Sequence, residues 1–296
     1  MLAFHGISNE IYTLINDPQV RPSTNIIISK NMAKDYIKNT ESPLENLITK
    51  NYEIFPNSSQ YTGYIYDATL GEFIDMLVSN TSEPVAILGG INTESEYNGD
   101  KFSTISNIKS TDTSFVGENG VENVGVAVFK DDKLVGELTA LESLCLSIIQ
   151  KKVNSFLLQV PYSNEQSETI DVTLYPSRKC KVKVEIINGS PYITIKCNFT
   201  GRIYSMKEDS KYLSNNELKN ISSQVNNYLR QVFTDYLYKT SLIFKSDING
   251  FGKFGAKNFY TTKEFENYDW QNNYQNSIFN VEINANIESG FLITET

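Results

Sequence analysis

The six residues that begin at Gly250 read GFGKFG and match, letter for letter, the glycine pattern of dinucleotide-binding sites. In such a site a strand precedes the glycines and a helix follows them, so that backbone N–H groups point at a pyrophosphate. Here the residues before Gly250 carry a helical pattern, and no clear helix follows at once. We therefore expect the glycines to end a long helix and to let Phe251 and Phe254 fold back onto the core. We expect no cofactor.

Two further residues near this stretch have side chains that could bind a ligand or a partner. Asp247 could belong to a binding surface, but aspartate commonly bonds its own local backbone in turns, so a structural role is the plainer interpretation. Trp270 is the single tryptophan and lies among tyrosines. Such a cluster can be an interface hot spot, although it is more often the edge of a core. We therefore interpret both residues as structural.

Other catalytic groups are sparse in the sequence. Asp131 and Asp132 are adjacent acids, but neighbouring residues project differently, and a solvated turn flanked by lysines explains them. His5 is the only histidine in the chain. A single histidine excludes a histidine-based metal cluster and argues against a Ser-His-Asp or Cys-His centre. We expect no catalytic residue, no metal site and no enzymatic activity.

The segment from Lys181 to Cys197 predicts a β-hairpin, because Asn188-Gly189 is a favoured centre for a two-residue turn in which both residues have positive φ. That turn pairs Val182 with Ile195. It also places the apolar residues of both strands on one face, which fixes the register.

The same register places Cys180 opposite Cys197. Cβ atoms at such a position lie about 4.5–5.5 Å apart, slightly wider than a disulfide needs, so a bond is possible after a small adjustment. The alternative is a pair of buried thiols that continue the apolar face. We favour the thiols, because free cysteine packs as a small hydrophobe.

The composition is that of a globular protein with room for two or three domains. The chain has 296 residues, of which 40% are hydrophobic and 21% charged, and its net charge is −9. This acidic balance argues against a protein that binds nucleic-acid phosphates. No apolar run approaches the ~20 residues that cross a bilayer, and the first residues lack the features of a signal peptide.

Element patterns divide the chain into two parts. The first part mixes short helices with compact apolar strands such as 25–29 and 84–91, and residues 92–120 are polar with few apolar anchors. We expect a mixed α/β domain over 1–118 and a second domain over 119–296, with a further division possible near 150–155.

The second part carries the stronger helix and strand signals. Thr139 with Glu142 and Ser214 with Glu217 each form a capping box at a helix start. An apolar stripe then predicts a long helix from Ser214 to about Lys245. Alternating strands before and after this helix indicate an α+β fold, in which antiparallel meander strands pack on one long helix.

Two blocks of this second part resemble the C-terminal region of the Ger(x)C spore germination proteins, the C subunits of bacterial germinant receptors. The first is the hairpin GVAVFKDDKLVGEL at 125–138, and the second starts at DINGFG and continues past the tryptophan. The resemblance is strong over 119–296 and loose over 10–90. The residues of the motif, which we interpret as structural, are Gly125, Phe129, Lys130, Gly136, Asp247, Gly250, Phe251, Gly252, Trp270 and Gly290.

The resemblance implies a non-enzymatic scaffold or signal-coupling subunit that works with an A and a B subunit in nutrient-triggered germination. It implies a lipid anchor on the outer face of the inner spore membrane. Members of the family begin with a secretion signal and a lipid-modified cysteine, yet the first cysteine here is Cys145. We therefore expect a soluble chain that lacks its anchor segment. The alternative function is direct binding of a small molecule, an amino acid or a sugar.

Overall fold

The computed structural model of the chain describes residues 2–40, 59–92, 120–161, 169–206 and 214–288. Two β-sheets form its centre. The first has the strand order β1-β2-β3-β4, where β1 and β2 are parallel and the other pairs are antiparallel. Its strands are β1 (Ile27–Ser29), β2 (Val85–Asn92), β3 (Gly120–Lys130) and β4 (Lys133–Leu138).

Helices cover both faces of the first sheet. On one face, Ala86 and Leu88 pack with apolar residues of the short N-terminal helices. On the other face, Val85 and Ile87 belong to a cluster that continues into the second sheet. The helices in this part of the chain are α1 (Leu2–His5), α2 (Ser8–Ile15), α3 (Ala33–Lys38), α4 (Leu70–Leu77) and α5 (Ala140–Ile149).

The second sheet is built around one long strand, β8 (Ser190–Met206). One edge of β8 pairs first with β7 (Lys181–Ile187) and then with β6 (Thr169–Pro176), which in turn pairs with β5 (Phe156–Pro161). Its other edge pairs with β9 (Ile278–Glu288). The α+β class is therefore confirmed. The all-antiparallel meander is not, because β9 runs parallel to β8; the helices between them supply the crossover that a parallel pair requires.

The long helix is α6 (Asn215–Tyr238), and its predicted capping box is present at Ser214 and Glu217. A π-helical turn, Lys239–Phe244, extends it to within one residue of the predicted end. The helix packs along β9 and also covers its free edge. Asn226 Oδ1 accepts from the N–H of Ala285 at 2.6 Å, and Ser222 Oγ accepts from that of Ile287 at 3.2 Å. These bonds satisfy backbone groups that would otherwise leave an open sheet edge.

Shorter helices follow α6 and lead into β9. They are α7 (Gly252–Gly255), α8 (Thr262–Tyr268) and α9 (Trp270–Asn273), with 3₁₀ turns at Ala256–Asn258 and Tyr274–Asn276. Among the described residues, no helix has both the length and the apolar composition that crossing a bilayer requires.

The hairpin of β3 and β4 belongs to the first sheet, although its sequence lies after the predicted boundary at 118. It pairs with β2 through Val85↔Val128 and neighbouring residues. The first sheet therefore uses residues from both sides of that boundary, and the possible division near 150–155 falls between the two sheets. The division into domains itself stays a prediction.

The predicted register of the β7–β8 hairpin is confirmed. Val182 pairs with Ile195, and Asn188 and Gly189 both have positive φ, 51° and 82°. Cys180 and Cys197 are joined by a disulfide with their Cα atoms 4.4 Å apart. The structure therefore contains the disulfide, and the prediction of two free thiols that we favoured from the sequence is wrong.

Removing this disulfide should destabilise the protein by about 3 kcal/mol. A bond that closes a loop of about 15 residues lowers the conformational entropy of the unfolded chain by about that amount. The two cysteines are 17 residues apart. Urea unfolding of a variant with Cys180→Ala and Cys197→Ala measures the loss.

The matched control is the unchanged protein in a reducing agent. It should lose the same free energy of unfolding, while the double variant should not respond to the reductant. Equal stability of the two proteins without reductant would show that the bond contributes nothing.

Candidate functional site

Several motif residues meet where the first sheet contacts the segment after α6, and Asp247 lies at the centre of this contact. Its side chain is fully buried. Oδ1 accepts the backbone N–H of Phe251 at 3.1 Å, and Oδ2 accepts that of Gly252 at 2.8 Å and the indole N–H of Trp270 at 2.9 Å. Asp247 therefore joins its own loop to Trp270 through one carboxyl group.

Burial sets the protonation behaviour of Asp247. Loss of solvent raises its pKa to about 6, although the donated hydrogen bonds favour the charged form and oppose the rise. A buried carboxyl group without partners would be strongly destabilising. Because these donors come from residues next to it in space, the carboxyl group holds the loop and the tryptophan in place.

Glu83 is a second buried acid at the same contact. Its backbone N–H donates to the carbonyl of Asp247 at 3.0 Å, and its Oε2 accepts the N–H of Asp131 at 2.6 Å. Burial raises the pKa of Glu83 to about 7, and the charges of Asp131 and Asp247 add to the rise, whereas Lys130 lowers it. Glu83 thus ties the tip of the β3–β4 hairpin to the Asp247 loop.

Phe129 completes this connection from the hairpin side. Its ring is buried and meets the ring of Phe73 edge to face at 5.1 Å. Its carbonyl oxygen accepts a hydrogen bond from the hydroxyl of Ser246 at 2.5 Å, and its N–H donates to the carbonyl oxygen of Pro84 at 3.1 Å. The hairpin and the Asp247 loop are therefore bonded through main chain as well as side chain.

Two motif glycines allow the elements to approach closely. A Cβ on Gly136 would lie 2.1 Å from the ring of Phe244, and a Cβ on Gly252 would lie 2.6 Å from the carbonyl oxygen of Thr81. Neither distance is possible for a real side chain. The glycines therefore let the π-helical turn lie on β4 and the Asp247 loop lie on residue 81.

Four further motif residues have a positive φ or a buried side chain, and their structural role stays a prediction. Gly125 and Gly250 have positive φ, and Phe251 and Trp270 are buried. The interpretation of Trp270 as an interface hot spot is not supported, because the ring is 1% exposed and packs within the core. Gly290 lies outside the described residues.

The glycine pattern does not have the surroundings of a nucleotide site. Gly250 follows the π-helical turn and a loop instead of a strand, and the helix after it has only four residues. Within the described ranges there is also no group of three or more His, Cys, Asp or Glu side chains that could hold a metal.

We call the contact between the first sheet and the segment after α6, which is centred on Asp247, the joint. Buried polar groups surround the joint and connect α6 to it. Tyr236 donates to Asn249 Oδ1 at 2.9 Å, and the hydroxyls of Thr240 and Tyr274 are 2.8 Å apart. The side-chain amide of Gln150 donates to the backbone carbonyl of Asn249 at 2.7 Å. These bonds fix the direction in which the chain leaves the helix.

Sequence reasoning missed Glu83 and Asn249. Glu83 stands before a proline in a polar stretch and looks like a solvated turn residue. Asn249 lies inside the motif but has no pattern that marks a buried partner. Only the folded arrangement shows that both are internal, because their partners are distant in sequence.

A cleft of about 630 Å³ lies elsewhere, on the first sheet between α1 and α3. Its lining is mainly apolar, and it includes β1 and Leu88 of β2. Lys30 and Glu137 form an ion pair of 3.1 Å within it. Large apolar side chains at its mouth are exposed, namely Leu2, Phe4, Met32 and Ile37.

Adding a methyl group at Gly136 should cost about 1–3 kcal/mol of stability, since the site is already filled. The Gly136→Ala change should cost much less in a Phe244→Leu background, because the shorter side chain leaves room. Chemical unfolding of the single and double variants gives the coupling free energy.

Gly189→Ala is the matched control for this cycle, because a Cβ there meets nothing within 4 Å. Its cost comes from backbone conformation alone and should be the same in both backgrounds. A Gly136→Ala cost that Phe244→Leu does not reduce would contradict the packing of the π-helical turn on β4.

The two buried acids should make the protein more stable as the pH falls from 8 to 5. In the folded state the pKa of each is raised, to about 7 for Glu83 and about 6 for Asp247, above the values of 4.5 and 3.8 for the exposed groups. Such groups contribute stability that is present below the unfolded pKa and is lost as the pH rises through the folded pKa.

Glu83→Gln should remove part of this dependence, because the amide oxygen can still accept the N–H of Asp131 but carries no charge. We expect the variant to be the more stable protein at pH 8 and the slope of unfolding free energy against pH to be smaller. Urea unfolding at several pH values measures both. An unchanged slope would show that Glu83 does not titrate in this range.

Comparison with known proteins gives the family. The model described as "Spore germination B3/ GerAC like, C-terminal" matches residues 124–290, and the model "Spore germination protein N-terminal domain" matches residues 1–90. The solved "Crystal Structure of the GerBC protein" aligns with a TM-score of 0.64 and 15% identity over 97% of this chain and 76% of that chain, which supports the same fold. A search of curated proteins finds no match. Since the first family model covers more than half of the chain, the protein belongs to the GerAC-like family of spore germination proteins.

Proposed function

We propose that the protein is the C subunit of a spore germinant receptor and acts as a non-enzymatic scaffold that couples the other subunits. The observation that carries the proposal is the use of the family motif. Asp247 and Trp270 are buried, and their polar atoms bond to each other and to the backbone. A motif used in this way preserves the shape of the protein, which is what a docking subunit needs.

The partners in this proposal are an A and a B subunit, as the family resemblance implies. The joint holds the first sheet and the second sheet in one arrangement through a shared apolar cluster. A rigid body with two sheets can contact two partners at once and transmit a displacement between them. Signal coupling of this kind needs no reactive group.

The disulfide supports a location outside the cytoplasm. Cys180 and Cys197 are bonded and both are buried. Disulfides persist in oxidising compartments and are rare in the cytosol. This agrees with the outer face of the inner spore membrane, where a lipid anchor would hold the protein.

Direct capture of an amino acid or a sugar is the second candidate function, and the cleft on the first sheet is its best site. The polar side chains in the cleft already have partners. Lys30 pairs with Glu137, Asn25 donates to Asp67, and Asn31 accepts from the backbone. A ligand rich in polar groups finds few free polar side chains there to orient it, and this favours the scaffold.

Co-purification tests the proposal. The full-length lipidated protein, tagged and produced with its A and B subunits, should retrieve both from detergent-solubilised membranes. The Gly136→Ala variant should retrieve less, because its joint is disturbed, and Gly189→Ala should retrieve as much as the parent. A folded, lipidated protein that retrieves neither subunit would refute the scaffold role.

A thermal-shift screen separates the two candidate functions. A protein that binds a small molecule is stabilised by it in proportion to ligand concentration. We expect nutrient amino acids and sugars to leave the melting temperature of the isolated protein unchanged. A saturable rise with one of them would favour direct binding.

A further inference from the structure

The edge of β1 that lies away from β2 borders the cleft. The N–H of Ile87 donates to the carbonyl of Ile26, and the N–H of Lys30 donates to the carbonyl of Gly89. The carbonyl of Ile26 and the N–H of Lys30 therefore point towards β2, whereas the N–H of Ile26 donates to the carbonyl of Ala68 and Asn25 forms a β-bridge with Thr69. Because a strand alternates, residues 27 and 29 direct their backbone groups away from β2.

These outward groups have no partner within the described part of the chain. No hydrogen bond joins the backbone N–H or C=O of Ile27 or Ser29 to another described residue. Both residues line the cleft. The cleft thus offers alternating donors and acceptors along one wall, and apolar surface around them.

We propose that this cleft is a peptide-binding site, in which an extended segment of a partner protein adds to the first sheet as a strand beside β1. Main-chain hydrogen bonds to the edge give affinity in this mode of recognition, and pockets for alternate side chains give specificity. The proposal concerns the first sheet alone and does not depend on the receptor assignment.

The chemistry of the cleft selects this occupant. A lipid chain or an apolar small molecule would cover Leu88 and Ile28 but would leave the backbone groups of the edge unpaired. Unpaired groups that become buried cost free energy. An extended peptide satisfies these groups, and its alternate side chains lie beside Ile27 on one side of the sheet and Ile28 on the other.

The rim of the cleft fits such a segment. Met32 is 72% exposed and Phe4 61% exposed, so large apolar side chains stand at the mouth without a cover. Contiguous apolar surface of this kind marks interaction sites. We expect the bound segment to have apolar residues at alternate positions and to lack proline.

Hydrogen exchange of the isolated protein tests the edge itself. The amides of Ile27 and Ser29 should exchange at least about tenfold faster than those of Ile28 and Lys30, which point at β2 and serve as internal controls. If all four amides exchange equally slowly, the edge is already paired and the proposal is wrong.

Binding is tested with blocked seven-residue peptides in which valine, isoleucine or phenylalanine alternates with threonine, followed by fluorescence polarisation. Matched peptides with N-methylated backbone amides keep the side chains but lose the donors. We expect at least one parent peptide to bind more tightly than about 1 mM. Its N-methylated form should bind at least about tenfold more weakly. Equal binding of the two forms would mean apolar docking only, and failure of every parent peptide would overturn the proposal.

Ser29→Pro removes an outward N–H without breaking a bond to β2, because proline is tolerated where the N–H faces away from the sheet. It should weaken peptide binding about fivefold or more, the loss of one hydrogen bond. Ser29→Ala is the control, since it also loses the hydroxyl but keeps the N–H, and it should bind as the parent does. Equal affinity of a folded Ser29→Pro protein would contradict strand addition.

Self-association is the remaining outcome to exclude. If the protein forms a dimer in sedimentation experiments and Ser29→Pro abolishes that dimer, the occupant of the cleft is a second copy. That result would replace the proposed peptide partner. A monomer that binds the peptides supports the proposal as stated.

Discussion

The contact between the first sheet and the segment after α6 depends on one buried carboxyl group. Asp247 accepts hydrogen bonds from two backbone amides and one indole, and its own carbonyl accepts the amide of Glu83. Each of these donors would be costly to bury without a partner. The loop after α6, the tryptophan and the start of β2 are therefore fixed together, and a change in any one of them disturbs the others.

Close packing around this group explains the composition of the motif. The glycines at 136 and 252 stand where a side chain would overlap a ring or a carbonyl, and the aromatic residues fill the space beside them. Such a joint resembles the interior of a single protein core more than a mobile contact between domains. This is why the motif contains residues that look chemical and yet serves to maintain shape.

Local features of the fold could be predicted from the sequence because their causes are local. The Asn188-Gly189 turn fixed the register of β7 and β8, and both capping boxes were placed at the correct residues. Long-range pairings could not be predicted in the same way. The parallel direction of β9, the membership of the β3–β4 hairpin in the first sheet and the buried position of Glu83 depend on contacts between segments far apart in the chain.

The candidate sites also differ in whether they could be predicted from the sequence. Asp247 could be assigned a structural role, because aspartate in a turn near glycines usually bonds local backbone. The cleft could not be found, since its walls come from α1, β1, α3 and β4, which share no sequence pattern. The choice of two thiols over a disulfide was wrong because it rested on the general tendency of free cysteine to pack as a small hydrophobe, whereas the Cα atoms of this pair stand 4.4 Å apart, within the range of a disulfide.

The central position of β8 has a consequence for how the chain acquires its structure. One flank of this strand is completed by neighbours in sequence, whereas the other waits for β9, whose Glu282 meets Lys196 across 86 residues. Contacts of such separation form slowly, because closing the intervening loop costs entropy before the contacts can repay it. During synthesis the strand therefore stays half-covered until β9 has emerged, and that interval is when the chain is most open to mispairing with another molecule.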